Sequence, residues 1–275
     1  MDTASTLPVS ALRRRDVSAW KGSCLKGSRK DEFVHHYQPQ VDVASREIVG
    51  VEALIRWVHP RWGMVFPADF IHIAEDTEQI YLIGEWVLEA ACRQVAQWRR
   101  LGLPRLRLSV NLSCVQLRRE DVVEQVEQIL ERSDTLPEQL VLEITESGIL
   151  EHAEHAVQVL ERLKALGLSI SIDDFGTGYS SLALLCQLPV DGLKIDRSFV
   201  SNAVSRDKDA RITEAIVAMA DRLQLATIAE GVETLDQVQF LRKLNCHLMQ
   251  GFLFSEPLAA SGFRDALARG VMWPD

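Results

Sequence analysis

Residues 168–182, Leu-Ser-Ile-Ser-Ile-Asp-Asp-Phe-Gly-Thr-Gly-Tyr-Ser-Ser-Leu, carry the densest chemistry in the chain. The alternation from Leu168 to Ile172 reads as a strand that ends in two adjacent carboxylates, Asp173 and Asp174. It then breaks at Gly176-Thr177-Gly178, a run that frees the backbone to turn. Side chains on a strand alternate faces, so neighbouring Asp residues share one site only where the strand ends and bends. Two like charges held together call for a cation, and a metal is the first expectation. The competing reading is a turn in which Asp174 caps the Ser180 region of the next helix.

The rest of the chain favours the metal. Glu52, Asn111, Glu143, Asp173 with Asp174, Lys194, Glu230 and Gln250 each lie at or near the C-terminal end of an apolar segment. Helix capping explains Asn111 or Asp174, but it accounts poorly for Glu52, Glu143 or Lys194. Carboxylate and amide oxygens without a convergent His or Cys set suit hard divalent ions such as Mg²⁺ or Mn²⁺. Five carboxylates and one amide exceed the needs of one octahedral ion, which keeps several waters. Two ions about 3.5–4 Å apart, bridged by a carboxylate, suit in-line phosphoryl displacement. Lys194 then serves as a fixed cation that orients a nucleophilic water or neutralises developing charge.

The elements that position these groups alternate. Phe33–Pro39 and Ile48–Trp57 read as strands joined by a polar turn at Ser45-Arg46, and Pro67 opens a short helix. Ile80, Ile83, Val87, Leu88, Ala91, Val95 and Trp98 mark a helix that Gly102 stops. Strands follow at Leu106–Asn111, Leu140–Glu143, Gly192–Asp196, Ala226–Glu230 and Cys246–Gln250. Helices run between them through Val122, Val157, Ser180 to Leu185, Ile212 to Leu223, and Leu235 to Leu241, with a last one near Phe263. Strands alternating with helices over about 240 residues fit one (β/α)8 TIM-like barrel, α/β in class, better than an open sheet. The absence of a dinucleotide-type glycine motif after the first strand agrees. In a barrel the C-terminal strand ends form the active-site face, and the antiparallel-looking opening hairpin makes its start irregular.

At 275 residues and 47% hydrophobic, the chain can bury one large core. Its net charge of -9 argues against a DNA-binding surface, though not against a small anion held by metals. Cysteines at 24, 92, 114, 186 and 246 are odd in number, widely spaced and without a CxxC, which suits a reduced, cytoplasmic protein. No apolar run reaches membrane-spanning length. Residues 1–30, with Arg13-Arg14-Arg15, read as a basic tail or linker remnant, and residues 31–275 as the domain.

Seven motifs carry a resemblance. They are Glu52-Ala53-Leu54 with Arg56-Trp57, Val110-Asn111-Leu112-Ser113, Leu142-Glu143-Ile144-Thr145-Glu146, Asp173-Asp174-Phe175-Gly176-Thr177-Gly178-Tyr179-Ser180-Ser181-Leu182, Leu193-Lys194-Ile195-Asp196, Ala229-Glu230-Gly231-Val232-Glu233 and Gln250-Gly251-Phe252. From about Phe33 to Leu258, in order, the chain resembles the EAL-domain family of bacterial phosphodiesterases, which linearise cyclic di-GMP to pGpG on a barrel with an antiparallel first strand. The resemblance implies that Glu52, Asn111, Glu143 and Asp173 hold one ion, and Asp173, Asp174 and Glu230 the second. It implies that Lys194 contacts the attacking water, that Glu230 assists its deprotonation and that Gln250 borders the site. Arg56, with Gln38 and Leu54, is implied in substrate binding. Glu146 is implied as anchor of the loop after Asp174, with Glu233 in support, although both also read as first-turn helix carboxylates. Residues 175–182 imply a homodimer and coupling to an upstream sensor or GGDEF-type domain. Ca²⁺, with its larger and looser coordination sphere, is expected to inhibit.

Two other readings compete: a module that senses cyclic di-GMP without cleaving it, and an enolase-like barrel acting on another anion. The first needs a missing ligand or an impaired loop, and the sequence shows neither; the second needs a carbon-acid base, for which Lys194 alone is weak support. His152 and His155 read as surface residues. His35 and His36 read equally as packing or substrate contacts, and Trp57 as a candidate support for Arg56.

Overall fold

The computed structural model describes residues 32–149, 153–176 and 182–269. Ten strands form its single sheet: β1 Phe33–Asp42, β2 Glu47–His59, β3 Gly63–Val65, β4 Arg107–Asn111, β5 Leu140–Thr145, β6 Ser169–Phe175, β7 Gly192–Ile195, β8 Ala226–Ala229, β9 Leu248–Met249 and β10 Leu258–Ala259. Eight of them close a ring in the order β1, β2, β4, β5, β6, β7, β8, β9, because β1 pairs with both β2 and β9. Every ring pair from β2 to β9 is parallel, whereas β1 runs antiparallel to both neighbours. The expected barrel with a reversed first strand is therefore present. The short β3 and β10 add antiparallel to β2 and β1.

Alternation sorts the side chains of β1 and β2. Phe33, His35 and Tyr37 point outward into the helix layer: Tyr37 meets Trp98 edge-on at 4.8 Å, and Trp98 stacks on Phe263 at 4.9 Å. These two rings come from the helices Ile80–Arg100 and Ala260–Arg269, which clasp β1 from outside. Trp57, Phe70 and Trp86 gather around Phe33 with ring centroids 5.7 to 5.9 Å away. Burying each such ring stabilises by a few kcal/mol, on the order of 3. Gln38 and Gln40 point inward instead. Gln40 Nε2 donates to Ser109 Oγ at 3.2 Å near the barrel floor.

The helix expected from Ile212 starts earlier and spans Asp207–Arg222. Its first turn is charged, so apolar periodicity does not reveal it. A further helix, Arg197–Asn202, starts at Asp196, whose side chain accepts from Ser198 N–H at 2.9 Å. The strand expected over Cys246–Gln250 contracts to Leu248–Met249. Gly167, with φ +94°, turns the chain out of the helix Ala153–Ala165. No helix among the described residues is long and apolar enough to cross a membrane. His152 and residues 177–181 of the loop lie outside the described residues.

Candidate active site

Lys194 organises the C-terminal mouth of the barrel. Its side chain is 1% exposed, and its ammonium lies 2.6 Å from Glu230, 2.8 Å from Glu143, 3.3 Å from Asp173 and 3.4 Å from Glu52. Five ring strands, counting Glu230 just past β8, thus deliver one cation and four carboxylates to one point. Register explains the convergence: Asn111 pairs with Glu143, Thr145 with Asp173 and Gln38 with Glu52. Asn111 Nδ2 donates to Glu52 Oε1 at 2.9 Å, and Gln250 Nε2 donates to Glu52 Oε2 at 2.5 Å. Gln250 also donates to Gln38 Oε1 at 2.9 Å, and Gln38 Nε2 reaches the Ser255 carbonyl at 3.2 Å.

Asp173 and Asp174 share the site where β6 ends. The β6–β7 register shifts between Ile172 and Phe175, and Asp174 takes the left-handed region at φ +53°, which Asp tolerates better than bulkier residues. Its N–H donates to Asp173 Oδ1 at 2.9 Å. Oxygens of Asp173, Asp174 and Glu230 all lie within 4.8 Å of one another.

One ammonium against this many carboxylates leaves negative charge in a buried place, and the protonation equilibria register it. Burial pushes the Glu230 carboxyl up to about 8, against the pull of Lys194, with Asp173 and Glu52 adding to the rise. Burial also raises Glu143 well above the usual range despite Lys194. Asp174 is raised by burial and by the Asp173 and Asp196 carboxylates. For Glu52, burial is outweighed by Lys194 and by the donors of Gln250 and Asn111, which hold it below the usual value. Lys194 is held far above an ordinary lysine because the four carboxylates overcome its burial. Glu143 Oε1 and Gln250 Oε1 are buried and accept no hydrogen bond among the described residues. Unclaimed oxygens in an over-negative pocket fit hard divalent cations, and the donor set is the oxygen-rich one such ions take.

The mouth opens into two cavities that share Glu52, Leu54 and Asp173: a larger one of about 740 Å³ and a smaller one of about 260 Å³. Gln38, Leu54, Arg197, Glu233 and Phe252 line the smaller cavity. Arg56 lines neither. Its guanidinium donates to the Ile55 carbonyl at 2.9 Å and lies over the Phe66 ring, 5.1 Å from its centre. Trp57, the next residue, points to the opposite face and donates to Glu32 at 3.1 Å, so it does not support Arg56. Glu146 sits in a narrow space beside Phe175 and Leu185, at the start of the loop that follows Asp174. Glu233 is exposed. His35 stacks on Trp86 at 5.0 Å, away from the mouth, and is a packing residue; His155 is exposed.

Sequence reasoning assigned no role to three groups at the mouth. The Asp196 carboxylate lies near enough to raise the Asp174 carboxyl; its place two residues after Lys194, just past β7, was the available signal. Arg197 follows the Leu193-Lys194-Ile195-Asp196 motif directly, and Phe252 closes the Gln250-Gly251-Phe252 motif. The Gln38–Gln250 link joins residues 212 positions apart, and no local pattern announces it.

A family model described as EAL domain matches residues 23–257. A Pseudomonas aeruginosa protein named bifunctional diguanylate cyclase/cyclic di-GMP phosphodiesterase MucR is 45% identical over 229 residues, which are 83% of this chain and 33% of that protein. The same organism's protein named cyclic di-GMP phosphodiesterase NbdA is 44% identical over 239 residues, 87% of this chain and 30% of that one. A solved structure described as the PaMucR phosphodiesterase in complex with c-di-GMP superposes with a TM-score of 0.85 at 42% identity, covering 89% of this chain and 99% of its own. The chain spans about a third of the length of these two curated relatives. With the whole barrel and all its motif residues inside the match, the chain belongs to the EAL-domain family.

Proposed function

We propose that this domain hydrolyses one phosphodiester bond of cyclic di-GMP and releases linear pGpG, with two Mg²⁺ or Mn²⁺ ions as cofactors. The observation that carries this reading is the complete ligand set closed around Lys194, with Glu143 Oε1 left unclaimed. Relatives above 40% identity named for this activity support it. Glu52, Asn111, Glu143 and Asp173 would hold one ion, and Asp173, Asp174 and Glu230 the other. Bound ions supply Lewis acidity toward a phosphoryl oxygen and lower the pKa of a water.

The chain's residues do the rest. Lys194 fixes the Glu230 carboxylate and presents positive charge where the nucleophilic water must lie. Glu230 accepts that water's proton as its oxygen bonds to phosphorus. The bond from phosphorus to the 3′ oxygen breaks, that oxygen takes up a proton from solvent to become the 3′ hydroxyl, and the phosphate stays on the 5′ side of pGpG. Gln250, held by Gln38, keeps Glu52 in a single orientation. The two cavities on either side of Glu52 and Asp173 suit a ligand with two bases and a central diester ring. Arg56 would swing from Ile55 and Phe66 to a substrate phosphate, an expectation tested by a rise in KM for Arg56→Ala. Glu146 and Glu233 would steady the loop 175–182, and a homodimer through it would couple the site to an upstream sensor or GGDEF-type domain. A cytoplasmic location is part of the same reading, in keeping with widely spaced cysteines that form no CxxC.

The test is incubation with cyclic di-GMP and Mg²⁺ or Mn²⁺, with and without EDTA, resolving products by chromatography. Metal-dependent pGpG is the expected result. Tight binding without product assigns the chain to the sensor class instead. Glu52→Ala should reduce turnover by about 10²-fold or more, the scale of losing a central electrostatic group; wild-type rates would overturn the ligand assignment.

A further inference from the structure

The larger cavity carries polar groups that the ion site does not use. Of the carboxylates lining it, Glu52, Glu143, Asp173 and Asp174 belong to the ligand set, and Glu75 does not. Glu75 stands on the last turn of the helix Pro67–Asp76, and Ser113 fixes it there. Ser113 Oγ donates to Glu75 Oε1 at 2.6 Å while accepting from the Val115 N–H at 3.1 Å. The Ser113 N–H in turn donates to Gln116 Oε1 at 3.2 Å. That backbone donor settles which end of the Gln116 amide is oxygen. Gln116 Nε2 is therefore the end left to donate, and the amide rests on Gly84: a Cβ added at residue 84 would lie 2.1 Å from Nε2, 2.5 Å from Cδ and 2.6 Å from Oε1. Among the described residues, neither Glu75 Oε2 nor Gln116 Nε2 has a hydrogen-bond partner.

One residue, Ser113, thus holds a free acceptor on one side and a free donor on the other, both in the cavity wall. Ile71, Ile83 and Val87 supply apolar surface around them, suited to the faces of a flat ring. Guanine presents an acceptor, O6, beside two donors, N1–H and N2–H; adenine presents a donor beside an acceptor at the same places. Base-processing sites read this edge by hydrogen bonds. We propose that Glu75 and Gln116 read the guanine edge of the substrate, Glu75 accepting from N1–H and N2–H and Gln116 donating to O6, so that this pair selects guanine over adenine. The proposal rests on the phosphodiesterase reading and adds the base selectivity of that same site.

The test compares three substrates on the unmodified protein, Glu75→Gln and Gly84→Ala: cyclic di-GMP, cyclic di-AMP and the base-free diester bis(p-nitrophenyl) phosphate. Glu75→Gln places an amide donor against the guanine donors, and Gly84→Ala displaces the Gln116 amide. Each should raise KM for cyclic di-GMP roughly tenfold or more, as expected when a buried polar reader loses its partner. Each should narrow the preference over cyclic di-AMP and leave kcat within about threefold and bis(p-nitrophenyl) phosphate turnover unchanged. Equal losses on all three substrates would show that Glu75 merely supports the ion site and would overturn the proposal. So would unchanged KM and preference in both variants. A wild-type protein that cleaves the base-free diester but not cyclic di-GMP overturns the function proposed above, an outcome distinct from either.

Discussion

Lys194 has large electrostatic leverage, because its side chain is buried and its ammonium meets four carboxylates. Removing one partner of a buried ionic cluster leaves the others uncompensated, which typically costs about 3–5 kcal/mol. Lys194→Met should therefore destabilise the metal-free protein by that amount in urea unfolding with EDTA present. It should also reduce turnover on cyclic di-GMP by about 10²-fold or more if the ammonium stabilises developing charge. Added Mg²⁺ should recover more stability in the variant than in the unmodified protein, since the ions then neutralise a larger excess of carboxylate. Equal recovery in both would mean that Lys194 and the ions answer to different groups. Protons compete for the same oxygens. Burial holds Glu230 near 8 and raises Glu143 in the metal-free state, so ion binding must expel protons there. Apparent Mg²⁺ affinity should then rise from pH 6 to pH 8, measured by titration calorimetry in buffers of different ionisation enthalpy.

At the scale of elements, the packing of β1 against the helix Ile80–Arg100 is acid-sensitive through His35. Burial lowers this imidazole from 6.5 to about 4, its ring stacks on Trp86, and its Nε2 is buried without a partner. As pH falls from 7 to 4 the unfolded chain takes up this proton and the folded one does not, so stability is lost on acidification. The window is worth about 3 kcal/mol. His35→Phe keeps the stacked ring and removes the titration, so its unfolding free energy should fall by about 3 kcal/mol less over that window. Parallel curves would place the acid sensitivity elsewhere. At the β9 end, a Cβ on Gly251 would lie 2.1 Å from the Val232 carbonyl oxygen and 2.3 Å from its nitrogen. Gly251→Ala should cost about 1–3 kcal/mol and lower turnover by shifting its neighbour Gln250. The elements themselves were largely legible in the sequence. Polar residues ending Val-, Ile- and Leu-rich runs identified the ring strands, and the polar turn after Pro39 marked the hairpin that reverses β1. What escaped was shorter or longer in range. β3, β10 and the Arg197–Asn202 helix are too short for a period to declare itself. The Gln38–Gln250 bond and the Ser113 bridge between Glu75 and Gln116 depend on side-chain reach across the closed barrel, and alternation assigns a face without saying what meets it. Arg56 was legible as a motif residue, but its place over Phe66 was not.

The whole molecule closes its ring around a point where carboxylates outnumber cations, within a chain of net charge -9. Folding therefore brings together groups that repel, and on the two-ion reading proposed above ion binding should appear as global stability. An ion that binds only the folded state stabilises by about 2.7 kcal/mol at a hundredfold excess over its Kd. For a domain of this size that corresponds to a rise in Tm of roughly 5–10 °C, measured against an EDTA-treated sample. Asp173→Asn, at the residue assigned to both ions, should abolish most of the rise, whereas Arg93→Ala, at an exposed pair with Glu89, should leave it intact. Ca²⁺ separates binding from chemistry. Its oxygen preference matches the same ligands, but its larger and looser coordination does not reproduce the spacing that in-line attack requires. Ca²⁺ should thus raise Tm in the unmodified protein, compete with Mg²⁺ and suppress pGpG formation at the same concentrations. Full turnover in Ca²⁺ would show that ion geometry does not limit the reaction. A rise in Tm that survives Asp173→Asn would show that the stabilising ions bind outside the ring of carboxylates around Lys194.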